Sequence, residues 1–296
     1  MWKELLRLML DRAAKAPAQP EPPSATYVAA DGYVTVLKHR INFPTSPGGR
    51  RVMAMVQESS ATFNKHLASI AHLLPWLETI PFEAKDDKTP FWNNEFIPAF
   101  DAVALALMVL DTKAEVVLEI GSGNSTKFLR SAIEFFKTKT TIVSIDPYPR
   151  AEVEQLCDRT IRKSLENATE EVLELFPRRP LVFFDGSHRV LPNSDVMVFF
   201  LELLPALPSG CVYGIHDINL PYDYFDAMAQ RLYTEQYMLA AYLLGGGNGD
   251  KIELPTCYLT ATGEFNRALP SNIDFPTRNG ESFWLRRGSL QAQERR

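Results

Sequence analysis

Short apolar runs alternate with stretches of helical spacing from about residue 114 to the end of the chain. The clearest run, Val116–Ile120, is typical of a strand that is buried on both faces. Gly121–Gly123 interrupts it, and apolar residues then recur at helical spacing from Phe128 to Phe136. The pattern predicts a strand, a glycine turn and a helix, which together let backbone N–H groups approach a ligand closely.

The same alternation predicts the rest of a sheet. We expect five α/β units followed by two late strands, one of them an antiparallel edge strand, in a seven-stranded, Rossmann-like α/β sheet with helices on both faces. The further strands are expected at Thr141–Ile145, Ile161–Leu165, Leu181–Phe184, Cys211–Ile215, Cys257–Thr260 and Ser282–Arg286. The helices between them are expected at Ala151–Thr160, Thr169–Leu175, Ser194–Leu207 and Tyr224–Leu244.

The first 110 residues have a different pattern, which predicts an elaboration, or a lid, rather than an independent domain. Residues 111–296 then form the core. In the elaboration we expect a helix at Trp2–Ala14, a proline-rich linker, a hairpin at Tyr27–Lys38, a loop at Pro44–Gly49, and helices at Ala61–Thr79 and Ile97–Leu110.

Composition narrows the class of protein. The chain has 296 residues with 46% hydrophobic content, and its net charge of -5 argues against nucleic acid as the main partner. No apolar run is long enough for a membrane span, so we expect no membrane partner. The three cysteines are far apart and suggest neither a disulfide framework nor a CxxC metal site, so a reducing, cytoplasmic setting is the default. Assembly as a homo-oligomer stays open.

Polar residues fall at the carboxyl ends of four predicted strands, where open α/β sheets bind ligands. These residues are Glu119, Asp146, Asp185 and the pair His216-Asp217. A carboxylate at Asp146 can accept both hydroxyls of a ribose, or it can cap a helix. The coincidence of four such ends favours a cofactor site.

The turn Glu-Ile-Gly-Ser-Gly-Asn-Ser-Thr lacks the third glycine of the dinucleotide pattern and has Thr126 there. It resembles motif I of the class I S-adenosylmethionine-dependent methyltransferases, and with the later strand ends it resembles methyltransferase family 24. More distantly it is similar to the macrocin and novobiocin-type sugar O-methyltransferases. The resemblance implies S-adenosylmethionine as cofactor and cofactor roles for Glu119, Gly121, Gly123 and Asp146. Ser122, Asn124 and Asp185 are added because they are adjacent to that site.

In those sugar enzymes, strand four ends in Asp-Gly-Asp and strand five in Asp-Asp, and these carboxylates hold Mg²⁺. This chain departs from the pattern, with Ser187 and His216 at two of the positions. Asp185, His188, His216 and Asp217 could instead hold a divalent transition metal, or they could only hold loops together. Without a metal, Asp185 or His216 is the candidate catalytic base.

A polar group follows strand five, where the acceptor commonly lies in this family, and a second group precedes the core. Trp92, Asn94, Tyr222 and Tyr224 are the substrate candidates, although core packing explains them equally well. We expect methyl transfer to a polar small molecule, with an oxygen as the methylated atom. The alternatives are a metal-dependent hydroxylase or hydrolase on the same fold, and a non-catalytic cofactor-binding protein.

Overall fold

The computed structural model describes residues 43–149 and 153–289. The predicted helix Trp2–Ala14 and the predicted hairpin Tyr27–Lys38 lie outside the described residues. No helix within the described ranges is long and apolar enough to cross a bilayer.

One seven-stranded sheet organises the described chain, in the order β3-β2-β1-β4-β5-β7-β6. Strands β1 to β5 pair in parallel, and β7 runs antiparallel to both of its neighbours. The predicted fold is confirmed, but the antiparallel strand lies inside the sheet rather than at its edge. The strands are β1 Val116–Ile120, β2 Thr141–Ile145, β3 Arg159–Ile161, β4 Leu181–Phe184, β5 Val212–Ile215, β6 Lys251–Pro255 and β7 Phe283–Arg286.

Helices cover both faces of the sheet. They are α1 Pro47–Glu58, α2 Ser60–Ser69, α3 Leu74–Leu77, α4 Ala99–Thr112, α5 Asn124–Phe135, α6 Thr169–Leu173, α7 Asp195–Val198, α8 Leu204–Ala206, α9 Asp226–Gln230, α10 Glu235–Leu244, α11 Thr256–Ala261 and α12 Glu264–Ala268. Short 3₁₀ turns occur at Phe43–Thr45, Ile70–Leu73, Glu154–Leu156, Leu165–Asn167, Phe176–Arg178 and Gly247–Gly249, and a π-helical turn at Phe199–Leu203 joins α7 to α8.

Two apolar cores lie on opposite faces of the sheet. Val117 packs on the face covered by α4 and α5, whereas Leu118 packs on the face covered by α1, α7 and α10. Helix α4 is buried along its length from Ala99 to Val109. Because side chains alternate along a strand, Glu119 points to the same face as Val117, beneath the first turn of α5.

Three expected elements differ in the structure. Pro44–Gly49 is not all loop, because Ser46 accepts the Gly49 N–H and begins helix α1. The expected helix Ala151–Thr160 is reduced, within the described residues, to a 3₁₀ turn. The Asp158 carboxylate accepts the Ile142 N–H, which brings this segment early into the sheet as β3.

The late segments also differ. The expected strand Cys257–Thr260 lies within helix α11, and the strand is Lys251–Pro255 instead. The expected helix Tyr224–Leu244 is two helices, α9 and α10, separated by a segment in which Leu232 has a φ of 61°.

Candidate active site

The two glycines of the turn have different surroundings. Gly121 has a φ of +79°, and a Cβ built on it would lie 1.9 Å from the Asp185 carbonyl oxygen. Glycine is therefore required here by the close approach of the β1 and β4 ends. Among the described residues, a Cβ built on Gly123 would meet nothing within 4 Å, so in this part of the chain the backbone at Gly123 borders open space.

Glu119 supports the turn from below rather than facing a ligand. It is fully buried, and its Oε2 accepts a 2.6 Å hydrogen bond from the Thr126 hydroxyl. The Thr126 oxygen in turn accepts the Gly123 N–H at 3.1 Å. Burial raises the pKa of Glu119 to about 8, so the carboxyl is mainly neutral at pH 7. Its Oε1 has no hydrogen-bond partner among the described residues, and the cofactor role that the resemblance implies stays a prediction.

Asp146 lies at the end of β2 beside the turn. One carboxylate oxygen accepts the Ser122 N–H at 2.9 Å and its hydroxyl at 3.0 Å, and the other accepts the Tyr148 N–H at 2.7 Å. These contacts fix the carboxylate at the rim of the open space next to Gly123. Asn124 is half-buried there as the first residue of α5.

The ends of β4 and β5 bring together the four side chains expected from the sequence. His188 Nε2 lies 3.5 Å from Asp185 Oδ1 and 3.3 Å from Asp217 Oδ2. His216 Nδ1 lies 3.4 Å from the same Asp185 oxygen and 3.6 Å from Asp217 Oδ1. Pairing of Phe184 with Ile215 places these strand ends side by side. We call Asp185, His188, His216 and Asp217 the four-residue cluster.

A buried carboxylate lies behind each ring of the four-residue cluster. His188 Nδ1 is 3.1 Å from Glu235 Oε2, and His216 Nε2 is 3.4 Å from Asp101 Oδ2. Asp101 comes from α4 and also accepts the backbone N–H groups of Glu281 and Ser282. Sequence reasoning missed Asp101, and it placed Glu235 only in the polar group after strand five. No local signal could have paired either one with a histidine.

This surrounding charge decides the protonation of both rings. Burial alone would lower the pKa of His188, but Asp217, Glu235 and Asp185 outweigh it and raise the pKa to about 9. The pKa of His216 is raised well above its ordinary value, because Asp185, Asp217 and Asp101 likewise outweigh its burial. Both rings therefore carry a proton at neutral pH, and in this charge state His216 is not the neutral base that we expected.

Ser187 is turned away from the cluster. Its N–H and hydroxyl both donate to Asp195, at 2.6 and 2.5 Å. His188 and Asp217, in contrast, have left-handed φ values of 61° and 53°, which are uncommon for side chains with a Cβ.

The cluster has the donor types of a transition-metal site. The four ring-to-carboxylate separations of 3.3–3.6 Å exceed the usual charge-assisted hydrogen bond and equal the donor spacing round a tetrahedral ion with ligands at about 2.0–2.2 Å. As they stand, however, no three or more His, Cys, Asp or Glu side chains in the described part of the chain are placed to hold an ion. The two rings lie near different oxygens of Asp217. The donor types therefore fit an ion, but in the present arrangement protons on the two rings balance the charge of the carboxylates. The predicted metal ligands stay a prediction.

The four substrate candidates lie in different surroundings. Tyr224 is fully buried and its hydroxyl accepts the Gln236 N–H, so it has no face for a bound molecule. Asn94 accepts the Ile97 N–H and donates to the Phe91 carbonyl, which makes it a loop support. Trp92 is buried against Phe128 and Phe275, and its indole N–H has no partner within the described part of the chain. Tyr222 is half-buried.

Residues 118–218 match a family model described as a methyltransferase domain. No curated protein matches the sequence. The strand order and the glycine turn define a class I methyltransferase fold, and the matched segment contains that turn, Asp146 and the four-residue cluster. The core is thus similar to a methyltransferase domain in both sequence and topology.

Solved structures give distant likenesses. One is the MycE methyltransferase from the mycinamycin biosynthetic pathway in complex with Mg and SAH, at 18% identity and a TM-score of 0.40. The match covers 78% of this chain and 56% of MycE, so this chain spans little more than half of that protein. The O-methyltransferase TomG from Streptomyces achromogenes has 17% identity, coverage of 82% and 99%, and a TM-score of 0.38. A putative O-methyltransferase from Klebsiella pneumoniae has 15% identity, coverage of 79% and 98%, and a TM-score of 0.39.

Proposed function

We propose that the chain is an S-adenosylmethionine-dependent methyltransferase that acts on a hydroxyl group of a polar small molecule. The observation that carries this proposal is the position of the open glycine turn. Gly123 borders free space between a rim carboxylate, Asp146, and the four-residue cluster. A nucleoside ribose and a reacting group would therefore occupy opposite sides of the same opening.

The residues that would hold the cofactor are Gly123, Ser122 and Asp146. The bound cofactor would supply an electrophilic methyl group on a sulfonium. The network from Glu119 through Thr126 fixes the turn, and the close contact of Gly121 with Asp185 sets the distance between turn and cluster. Because these supports are buried, the opening is preorganised before a ligand binds.

Asp185 is the cluster residue placed to meet the acceptor. Its side chain is 32% exposed, whereas that of His216 is 4% exposed. The carboxylate would accept a hydrogen bond from the acceptor hydroxyl and orient it toward the methyl group. The carboxylates of Asp101, Asp185, Asp217 and Glu235 outnumber the two rings, so the surroundings are negative. Negative surroundings favour a cationic methyl donor. Asp185 would take the hydroxyl proton as the acceptor oxygen bonds to the methyl group.

Calorimetry with S-adenosylmethionine and S-adenosylhomocysteine tests the cofactor half directly, with NAD as the unrelated nucleotide. Binding of the first two and no response to NAD is the expected result. Asp146→Ala should weaken binding by ~1.5–3 kcal/mol, the range for a hydrogen bond to a charged group. Asp274→Ala, at an exposed aspartate, is the matched control and should bind like the parent protein.

Tight NAD binding without any response to the sulfonium cofactor would refute the proposal. The acceptor half is tested by release of S-adenosylhomocysteine across a panel of sugars, phenols and other hydroxylated compounds. Amines and thiols of similar size are the comparison. Turnover confined to amines or thiols would keep the methyltransferase and reject the oxygen acceptor.

A further inference from the structure

Three consecutive residues, Tyr233, Thr234 and Glu235, contact His188 just before and at the start of α10. We call these contacts the grip. The ring of Tyr233 packs on the imidazole with centroids 4.5 Å apart. The N–H groups of Thr234 and Glu235 both donate to the His188 carbonyl, at 2.9 and 3.2 Å. The Glu235 carboxylate then contacts His188 Nδ1 at 3.1 Å. Backbone, ring face and ring nitrogen of one histidine are thus all held by the segment 233–235.

The grip determines which ring nitrogen faces the opening. Since Nδ1 donates to Glu235, only Nε2 is directed at Asp185 and Asp217. Nε2 lies 3.3 and 3.5 Å from those carboxylates, longer than a charge-assisted hydrogen bond, so neither of them captures it. The ring is thus held through Nδ1, while Nε2 is directed at the carboxylates of Asp185 and Asp217.

Stability alone does not explain Glu235. The side chain is fully buried, and Oε1 has no hydrogen-bond partner among the described residues. A buried carboxylate with one unsatisfied oxygen is destabilising on its own, and such groups are characteristic of functional sites. The left-handed φ of 61° at His188 is a second local cost at the same place.

We propose that Glu235 is a positioning residue for methyl transfer, which it serves by fixing the orientation of the His188 ring. This proposal rests on the proposed function. Glu235 acts through His188 and touches neither cofactor nor acceptor. At metal sites, loss of a carboxylate that orients a ligating histidine typically costs about 10–100-fold in metal affinity or activity, and we expect a loss of similar size here.

The test combines Glu235→Gln with NMR of the imidazole nitrogens in the full chain. Gln keeps the shape but not the charge, so we expect the His188 signals to shift and its ring N–H to exchange faster with water. His188→Asn assigns the signals. Glu235→Asp keeps the charge but withdraws it by one methylene, so it should give a smaller change, and it serves as the second variant if the first does not fold. Circular dichroism and cofactor affinity report folding.

Glu253→Gln is the matched control. Glu253 contacts a third buried histidine, His66, at 2.7 Å and lies away from the opening. That variant should move the His66 signals alone and leave methyl transfer unchanged. With an acceptor that supports turnover, Glu235→Gln should lower kcat by about 10–100-fold and leave KM for the cofactor unchanged.

Unchanged His188 signals and an unchanged kcat in folded Glu235→Gln would overturn the positioning role. Failure of the proposed function gives a different result. In that case the parent protein neither binds the cofactor nor turns over, while the NMR comparison still decides whether Glu235 fixes the ring.

Discussion

At the scale of single residues, the glycine turn separates a structural glycine from a ligand-facing one. We predict that Gly123→Leu remains folded but binds S-adenosylhomocysteine at least about tenfold more weakly, about 1.4 kcal/mol, because its side chain enters the open space. Gly121→Ala should instead lower the melting temperature, since its Cβ would overlap the Asp185 carbonyl at a left-handed position. Calorimetry and thermal unfolding measure the two effects.

Two results would contradict these assignments of Gly121 and Gly123. A folded Gly123→Leu with full affinity would show that the free space is not the cofactor site. A fully stable Gly121→Ala would show that the β1 and β4 ends can separate at little cost.

The four-residue cluster gives a second prediction at this scale. Asp185→Asn and His216→Ala should each keep cofactor affinity nearly intact and reduce methyl transfer by ~10²–10⁴-fold, the usual contribution of a positioned acid or base. Chelator treatment, followed by addition of divalent ions, tests the metal in the same assay. Activity that is lost on chelation and restored by the added ion supports a metal held by the cluster. Activity that chelation does not change indicates that the two rings carry protons instead.

Parental transfer rates in both variants would make the cluster purely structural. Metal affinity should also fall as the pH is lowered, because an ion must displace protons from rings whose pKa values are raised by carboxylates.

The positions of site residues were predictable from the sequence only where these residues lie at the ends of predicted strands. Parallel strands end at one edge, so Asp146, Asp185 and His216 were placed together from sequence alone. Asp101 could not be placed, because it reaches His216 from a helix 115 positions earlier in the chain. Glu119 carried the right motif but lies on the covered face, which only the register of β1 reveals.

At the scale of elements, the break between α9 and α10 shows why periodicity was insufficient. The apolar spacing of residues 224–244 continues across the break and predicts one helix. In the structure, the Arg231 carbonyl accepts from the Arg189 side chain and Thr234 accepts the Val190 N–H. These two hydrogen bonds hold the segment between the helices against the loop that follows β4. Tertiary contacts thus override the helical pattern.

The shifted sixth strand has a related cause. Lys251–Pro255 carries two charged residues, which is unusual for a buried strand. Residues 257–260 include a tyrosine and a threonine, which favour strands, and carry no charge. Glu253 is tolerated inside the sheet because His66 and Arg286 both contact it at 2.7 Å. Those partners come from distant parts of the chain, so no local pattern shows that the charge is satisfied.

The wide turn at Phe199–Leu203 has a local cause that the sequence does contain. Pro205 has no N–H, so an α-helical hydrogen bond to the Leu201 carbonyl is impossible. The helix passes this point by opening into one π turn. Apolar spacing correctly predicted a helix across residues 194–207, but not its change of pitch.

At the scale of the whole molecule, the helices before residue 111 and the sheet share their cores. Trp76 and Phe100 pack with strand residues on one face, and Val56 packs with them on the other. Asp101 adds a polar contact between these parts. It accepts hydrogen bonds from Thr256, at the start of α11, and from Glu281 and Ser282, which precede β7. The shared cores and this contact join α4, the sheet and the site into one continuous structure.

His66, a third buried histidine, links distant elements on the same scale. His66 on α2 contacts Asp111 at the end of α4 and Glu253 on β6, both at 2.7 Å. Burial alone would lower its pKa, but hydrogen bonds and charge from the two carboxylates raise it to about 9. The protonated ring therefore ties α2 to the edge of the sheet at neutral pH.

This ring makes overall stability depend on alkaline pH. A folded-state pKa of about 9 lies above the ordinary value of 6.5, so the stabilisation is complete below pH 6.5 and is lost as the pH rises through about 9. The difference corresponds at most to about 3 kcal/mol. Urea unfolding of the parent protein at intervals from pH 6 to 10 should show this loss, and His66→Gln should remove the part that is due to His66, while His188 and His216, whose pKa values are also raised, leave a remainder. His72→Gln, at an exposed histidine on the next turn, should follow the parent curve. A parent curve that parallels that of His66→Gln over this range would show that the bridge contributes nothing to global stability.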